Sequence, residues 1–457
     1  MDRYEVIVVG AGVGGLSAAA HLAQAGIRTL VIEQTAFPGG RCYSRTLDGV
    51  EYDIGALYLG GSVPGLLRDV LGLNCRATPF RAGIAVDDKL VSFPFDGQTV
   101  RQLRACGVAK RALAHFLLHV PLLFSSSTFE RYESVDDILR MLTADETIRF
   151  MGNVLYGVSG TSPRHLPSNY ARLNGTIAGY RATNPQYLEG GNRAVADLLV
   201  QEVRKYGRIQ FGERAECLMI EGQRVGGVVT GRRTYRADFV ISNADIRTTV
   251  LGLCDAAIWP DDYRYGVEML RRPLSVASVF MTFTRDVQLP QGYGVFFVAD
   301  DPISEFQCLE DGHFPSQSMF ILYVPTQILH EHDGQHRATL QFYYPRGDIS
   351  PEVLDRQVRQ IMAVGLDRLW PRFSECVTAY KVYSPERYFQ EFGLHPYVFG
   401  VSPALGQRRY PVRTPIPNLF CVGDSVQPEG PCVPQAMESG FAAARLLLEH
   451  RRSPVAH

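Results

Sequence analysis

The sequence predicts an α/β protein with a Rossmann-like dinucleotide-binding domain and a second lobe, and three observations carry that prediction. Near the start, the apolar run Val6 to Val9 leads directly into Gly10, Gly12, Gly14 and Gly15, and helix-forming residues follow. A second apolar run, Thr29 to Ile32, ends in Glu33, at roughly the 20-residue distance where an acidic side chain takes ribose hydroxyls. At the far end, residues 417–448 read as strand, Gly423-Asp424, loop and helix. A chain of 457 residues is long for one core, so two or three lobes are expected.

Each element has a physical reason. Val6 to Val9 is continuously apolar, as a parallel strand covered on both faces is. Gly10 allows the tight turn, Gly12 lets the backbone approach a pyrophosphate, and Gly15 lets the helix pack close, so that the helix N-terminus faces phosphate. Glu33 would repel a 2′-phosphate, which disfavours NADP. Tyr187-Leu188-Glu189-Gly190-Gly191 precedes an amphipathic helix over 192–205, and a strand follows at 208–211. Residues 238–245, DFVISNAD, read as the strand that closes the central sheet. Segments 274–283, 294–299, 319–324 and 338–344 are rich in Val, Phe, Tyr and Ile with frequent alternation, which predicts one antiparallel sheet. Ser350-Pro351-Glu352 opens a helix running to about Leu369, capped by the serine and begun by the proline. The strand Leu419 to Val422 precedes a last helix opened by Pro434.

Composition narrows the class. A formal net charge of −1 gives no electrostatic bias toward nucleic acid. Nine scattered cysteines without a CxxC motif point to a reducing compartment, and no signal peptide precedes the first strand, so a cytoplasmic protein is expected. Residues 101–124 place Arg101, Arg104, Lys110 and Arg111 ahead of an apolar run, Ala112 to Phe124, that is too short to span a bilayer. Two readings stay open there: peripheral contact with a membrane, basic flank on the headgroups, or a helix pair broken at Pro121. The cluster His330-Glu331-His332-Asp333-Gly334-Gln335-His336 reads as a solvated turn, and no metal site is expected.

Gly39-Gly40-Arg41 lies just beyond Glu33, and with the glycine run, the SNAD strand and the C-terminal GD-loop-helix it resembles the phytoene desaturase and carotenoid isomerase branch of the flavin amine oxidase superfamily. The resemblance implies a glutathione reductase-type FAD domain assembled from residues 1–85, 186–250 and 391–457. The remaining residues, 86–185 and 251–390, would form an α+β substrate domain on the antiparallel sheet. It implies FAD as cofactor, held by Gly10, Gly12, Gly14, Gly15, Glu33, Gly40 and Arg41. Ala215 would face the adenine, Asn243 and Ala244 the diphosphate, and Gly423 and Asp424 the ribityl and diphosphate region. The backbone at Pro434, Gln435 and Ala436 would reach the flavin pyrimidine edge, where a helix N-terminus favours negative charge. Gly55 and Ala56 would pass along the flavin and Tyr58 could face the substrate, while Glu429, in the loop directly before that helix, reads either as a solvated loop residue or as a proton-transfer group. Cys42 and Cys432 lie in cofactor-proximal segments, where packing as small hydrophobes is the expected role.

The function expected is FAD-dependent desaturation of an apolar, polyene or natural-product small molecule, by hydride transfer to flavin N5. Flavin amine oxidases commonly hold a lysine near N5 on a substrate-lobe strand, and the matching segment here, Leu274 to Phe280, has none. That disfavours oxidative deamination. No second GxGxxG follows mid-chain, so no dedicated NAD(P)H domain is expected. A redox-neutral isomerase using reduced FAD and an amine or amino-acid oxidase are the alternatives. A non-enzymatic lipid carrier on the same fold should show a decayed cofactor site, whereas Glu33, Arg41 and Asp424 are all present.

Overall fold

The computed structural model describes residues 3–171, 185–329, 334–397, 400–428, 430 and 432–452. Two seven-stranded sheets organise it. In the first, the strands run in the order Arg208–Gln210, Thr29–Ile32, Arg3–Val9, Thr234–Ser242, Arg224–Thr230 and Ala215–Glu221. The strand Thr234–Ser242 forks: its first half pairs antiparallel with Arg224–Thr230, and its second half pairs parallel with Leu419–Cys421. The first strand shows why its sequence is apolar throughout. Val6 and Val8 pack into one hydrophobic cluster and Ile7 and Val9 into another, so both faces are covered.

The helices Val13–Gln24 and Val433–Arg452 cross on one face of this sheet. Their approach is set by glycine. A Cβ at Gly14 would come within 2.8 Å of the Ala436 carbonyl oxygen, and one at Gly440 would overlap the Gly14 carbonyl oxygen. Backbone therefore meets backbone, and the N-termini of the two helices, separated by some 400 residues of sequence, open toward the same place.

The second sheet has the order Val377–Tyr383, Ser275–Thr284, Gln335–Tyr344, Phe320–Tyr323, Tyr293–Val298, Arg81–Val86 and Lys89–Phe93. The four strands expected from alternation are here. The sheet is mixed rather than antiparallel, however, because Arg81–Val86 pairs parallel with Tyr293–Val298. A parallel pairing between segments so far apart in sequence leaves no local turn signal. The same strand crosses the expected boundary at residue 85, which falls inside it.

The helix opened by Ser350 runs as Pro351–Gln360, widens through Ile361–Leu366 and ends at Asp367–Leu369, with the Ser350 hydroxyl accepting from the Val353 amide at 3.4 Å. Residues 101–124 fold as the end of helix Gly97–Ala105, the helix Lys110–His119 and a tight 3-10 turn, Val120–Phe124, with Pro121 in its first positions. Among the described residues no helix is long and apolar enough to cross a membrane.

Candidate active site

One cavity of about 1110 Å³ runs from the glycine-rich turn into the space beneath the second sheet. At its first end, Gly10, Gly12 and Gly14 line the wall. The helix Val13–Gln24 starts with no side-chain cap and no acid in its first turn. Among the described residues nothing accepts from the Val13 and Gly14 amides, so donors and dipole are left for an anion. Gly15 does not line the cavity. Its amide donates to Asn243 Oδ1, and a Cβ there would overlap the Gly10 carbonyl oxygen, so its part is to let the turn close.

Glu33 is buried beside this turn. Its Oε2 accepts from the Ala11 amide at 2.7 Å, and its Oε1 accepts from the Thr35 amide and hydroxyl, both at 2.8 Å. A carboxylate has about four acceptor positions, so capacity remains for a ribose hydroxyl on the cavity side. Gly40, Ala215, Asn243 and Ala244 line the same end. Arg41 makes a two-fold contact to Asp424, with Nη2 at 2.8 Å from each carboxylate oxygen, and donates to the Tyr397 carbonyl at 2.9 Å. Both partners face the cavity, beside Gly423.

The last helix contributes Pro434, Gln435 and Ala436 to the wall. The Gln435 Oε1 is buried and unpartnered among the described residues. Such an acceptor costs about 1–3 kcal/mol unless a ligand donor meets it. The glycine cradle, the free helix N-terminus, the carboxylate at ribose distance and this orphaned oxygen together fit an FAD extended along the cavity.

The segment Asp53 to Tyr58 is held by residues that no motif announced. Its carbonyls are claimed in turn: Asp53 by the Thr339 hydroxyl at 3.2 Å, Ile54 by the Tyr388 hydroxyl at 2.8 Å, Gly55 by Gln341 Nε2 at 3.3 Å, and Ala56 by Asn192 Nδ2. Gly55 has no alternative, because a Cβ would overlap the Arg41 carbonyl oxygen. The Asp53 carboxyl is buried, and burial raises it to about 6 against the pull of hydrogen bonds from Ser44 and the Asn192 amide. Gly55, Ala56 and Tyr58 all line the cavity. Burial pushes the Tyr58 phenol up, so it stays neutral, and its ring packs edge-on against Phe80.

Beyond Tyr58 the cavity becomes an apolar chamber. Phe93, Ile321 and Tyr343 line it from the second sheet with Met319 beside them, and Leu155 and Val158 line it from the end of helix Glu146–Gly157, whereas the rings of Phe320 and Phe342 pack in the core on the other face of the sheet. Other aromatics of this lobe, Phe280, Phe283, Phe296 and Phe297, are sheet core. Cys42 and Cys432 reach the cavity as thiols. Burial pushes Cys42 up, and Cys432, surrounded by protein while still facing the cavity, is raised to about 11 by desolvation and by Asp424. All nine cysteines are free.

Asp245, the last residue of the SNAD motif, sits on the rim at φ 60°, a conformation that side chains rarely adopt, and its carboxylate caps the Arg247 and Thr248 amides. Arg272 and His395 share that rim. Burial lowers the His395 pKa, with Arg272 adding to the effect, so the ring is neutral near pH 7. Arg272 and His395 carry no sequence signal, since they meet Asp245 only in the fold. Glu429 and residues 330–333 of the histidine-rich segment lie outside the described residues. Within that segment His336 belongs to the strand Gln335–Tyr344, beside the Thr326 hydroxyl at 3.0 Å. Among the described residues no group of three histidine, cysteine or carboxylate side chains could hold a metal.

Fold and cavity join a glycine-rich cradle of dinucleotide-binding type to an apolar chamber. The family model described as flavin containing amine oxidoreductase matches residues 13–448, and the chain belongs to that family. It is 25% identical over 372 residues to a phytoene desaturase of Fusarium fujikuroi, covering 71% of this chain and 63% of that protein. It is also 25% identical to a hydroxyneurosporene desaturase of Cereibacter sphaeroides, covering 97% of each. Among solved structures, an oxidoreductase from Methanosarcina mazei superposes with a TM-score of 0.71 at 19% identity, covering 97% of this chain and all of that one. The chain spans less than two thirds of the fungal desaturase, and the structural likeness is one of fold. Membership of that family agrees with FAD as the cofactor these residues fit.

Proposed function

We propose that this protein is an FAD-dependent dehydrogenase that introduces a double bond into an apolar, polyene or other natural-product substrate. The single observation that carries the reading is the continuity of one cavity from the dinucleotide cradle, past the Gly55–Tyr58 backbone, into a chamber walled by Phe93, Leu155, Val158, Met319, Ile321 and Tyr343. Similarity to proteins described as phytoene and hydroxyneurosporene desaturases supports the same reading. The four lysines weigh against amine oxidation. Lys89 donates to the Ala105 carbonyl, Lys110 is exposed, Lys205 pairs with Glu202 and Lys381 with Asp48, so none reaches the cavity.

Bound flavin would supply a two-electron acceptor. The chain's own part is placement. Residues 53–56, each carbonyl fixed by a side chain from elsewhere, hold a rigid backbone edge at the junction, and positioning of this kind accounts for much of an enzyme's advantage. The aromatic walls exclude water and bind by apolar burial. Tyr58 and Cys432, both kept neutral by their surroundings, put no anion where a hydrocarbon must lie. We propose Glu429 as the group that accepts the substrate's proton.

The test is product analysis. Holoprotein incubated with apolar polyenes and an external acceptor such as a quinone should yield products two hydrogens lighter. Products of unchanged mass and altered geometry would replace this reading with isomerisation, and turnover confined to amines would replace it with oxidative deamination.

A further inference from the structure

The Asp53 carboxyl is buried just ahead of the Gly55–Tyr58 edge and does not itself line the cavity. Asp53 pairs in register with Ser44 on the neighbouring strand, and the Ser44 hydroxyl donates to Asp53 Oδ1 at 2.6 Å. The same oxygen accepts from the Asn192 amide at 3.2 Å, while the Ser44 hydroxyl accepts from the Arg193 amide at 3.4 Å. Asn192 opens the helix Arg193–Tyr206, which has no side-chain cap of its own and no acid in its first turn. Asp53 and Ser44 therefore cap it from another strand, with negative charge at the positive end of the helix dipole. The Asn192 side chain is thereby released for a different bond, and its Nδ2 donates to the Ala56 carbonyl. Gly191 keeps the approach open, since a Cβ there would come within 3.2 Å of Ser44 Oγ.

We propose that Asp53 is a positioning residue: through the capped start of helix Arg193–Tyr206 and the Asn192 side chain, its carboxylate sets where the Gly55–Ala56 backbone lies against a bound flavin. This rests on the flavin reading of the cavity and on no particular substrate. A charged acceptor holds an N–H roughly twice as strongly as a neutral one, so a proton on Asp53 loosens Asn192 and, with it, Ala56. The groups around the carboxyl are Glu51 on its own strand, Cys42 next to Ser44, Tyr187 and Tyr323 on two further strands, and Arg337 beyond Tyr323. Arg193 is committed to Glu51 and Asp197. Burial and Glu51 favour the neutral acid, whereas the bonds from Ser44 and the Asn192 amide favour the ion.

Two measurements on the full chain test this. In the FAD-loaded protein the visible flavin band should shift with pH in one step with a midpoint of about 6, where Asp53 changes charge. Asp53→Asn, which keeps an acceptor oxygen and loses the charge, should abolish the step and show the low-pH spectrum throughout. Ser44→Ala removes a bond that favours the ion, so the step should move to higher pH. Asn192→Ala should also abolish the step, because the link to Ala56 is cut, and the double variant Asp53→Asn with Asn192→Ala should go no further than Asn192→Ala alone. The second measurement is amide exchange of residues 54–58 before FAD is added, which at about pH 8 should be about 10-fold faster in Asp53→Asn and in Asn192→Ala than in the wild type. Exchange needs no flavin, so a chain that took up no FAD would defeat the flavin reading while exchange still decided the link from Asp53 to Ala56. A wild type without the step, a step that survives Asp53→Asn, or one lost in Asp53→Asn yet intact in Asn192→Ala would overturn the proposal. So would unchanged exchange in both variants.

Discussion

The two ends of the cavity are built by opposite means. At the cofactor end the chain removes side chains so that backbone can touch backbone, as at Gly14 against Ala436 and Gly440 against Gly14. At the substrate end it fills space with Phe93, Leu155, Met319, Ile321 and Tyr343 and leaves a hollow between them. A site that needs close backbone approach is therefore written in glycine at fixed spacing, whereas a site that needs volume is written only in composition. Substitutions at the two ends should fail differently.

The largest expected effect separates the lobes by pH. Glu305, behind the chamber wall, is almost fully buried and raised by that burial to about 8, with both oxygens accepting from the Met319 amide. A carboxyl whose folded pKa lies above its ordinary 4.5 weakens the fold progressively as pH rises from about 4.5 to about 8. Glu305→Gln should remove that slope, matching the wild type near pH 4.5 and exceeding it by roughly 4 kcal/mol at pH 8. Urea unfolding at the two pH values reads the difference, and parallel slopes would show that Glu305 is not the group responsible.

Next in size, Gly440→Ala should cost as much flavin as Gly14→Ala, about 100-fold in FAD affinity, since either methyl forces the two helices apart by overpacking. Retention of FAD by the purified variants measures it. An unaffected Gly440→Ala would mean that the helices separate without harm. Glu33→Ala should weaken FAD roughly 30-fold, because the Ala11 and Thr35 donors lose their acceptor along with the ribose. The smallest effect belongs to the other end: Leu155→Ala should raise KM for an apolar substrate about 10-fold while FAD affinity stays within two-fold, for one wall side chain of several is lost. A drop in FAD affinity instead would join the two ends into one unit.

The same contrast explains what the sequence made legible. Gly10, Gly12, Gly14 and Glu33 could be placed on one site because dinucleotide geometry demands them, Arg41 and Asp424 because their motifs resemble those of the family, and all six line the cavity. Gly440 escaped notice, sitting mid-helix where no motif marks a crossing. The clamp on residues 53–56 was equally silent. Thr339, Gln341, Tyr388 and Asn192 come from between 136 and 334 residues away, and an isolated polar residue on a strand or helix does not name its partner. The strand Arg81–Val86 was missed for a related reason, since its parallel neighbour Tyr293–Val298 lies beyond any turn. Asp245 was read only as the end of a strand, and its positive φ emerges from the fold.

The most direct measurement is anaerobic titration of the purified flavoprotein with apolar polyene donors and, separately, with amines, following the visible flavin bands. Bleaching by a polyene, and not by amines, is the predicted result, for the donor must lie in the aromatic chamber against the Gly55–Tyr58 edge. Bleaching by amines alone would contradict it and assign the chamber to a different chemistry.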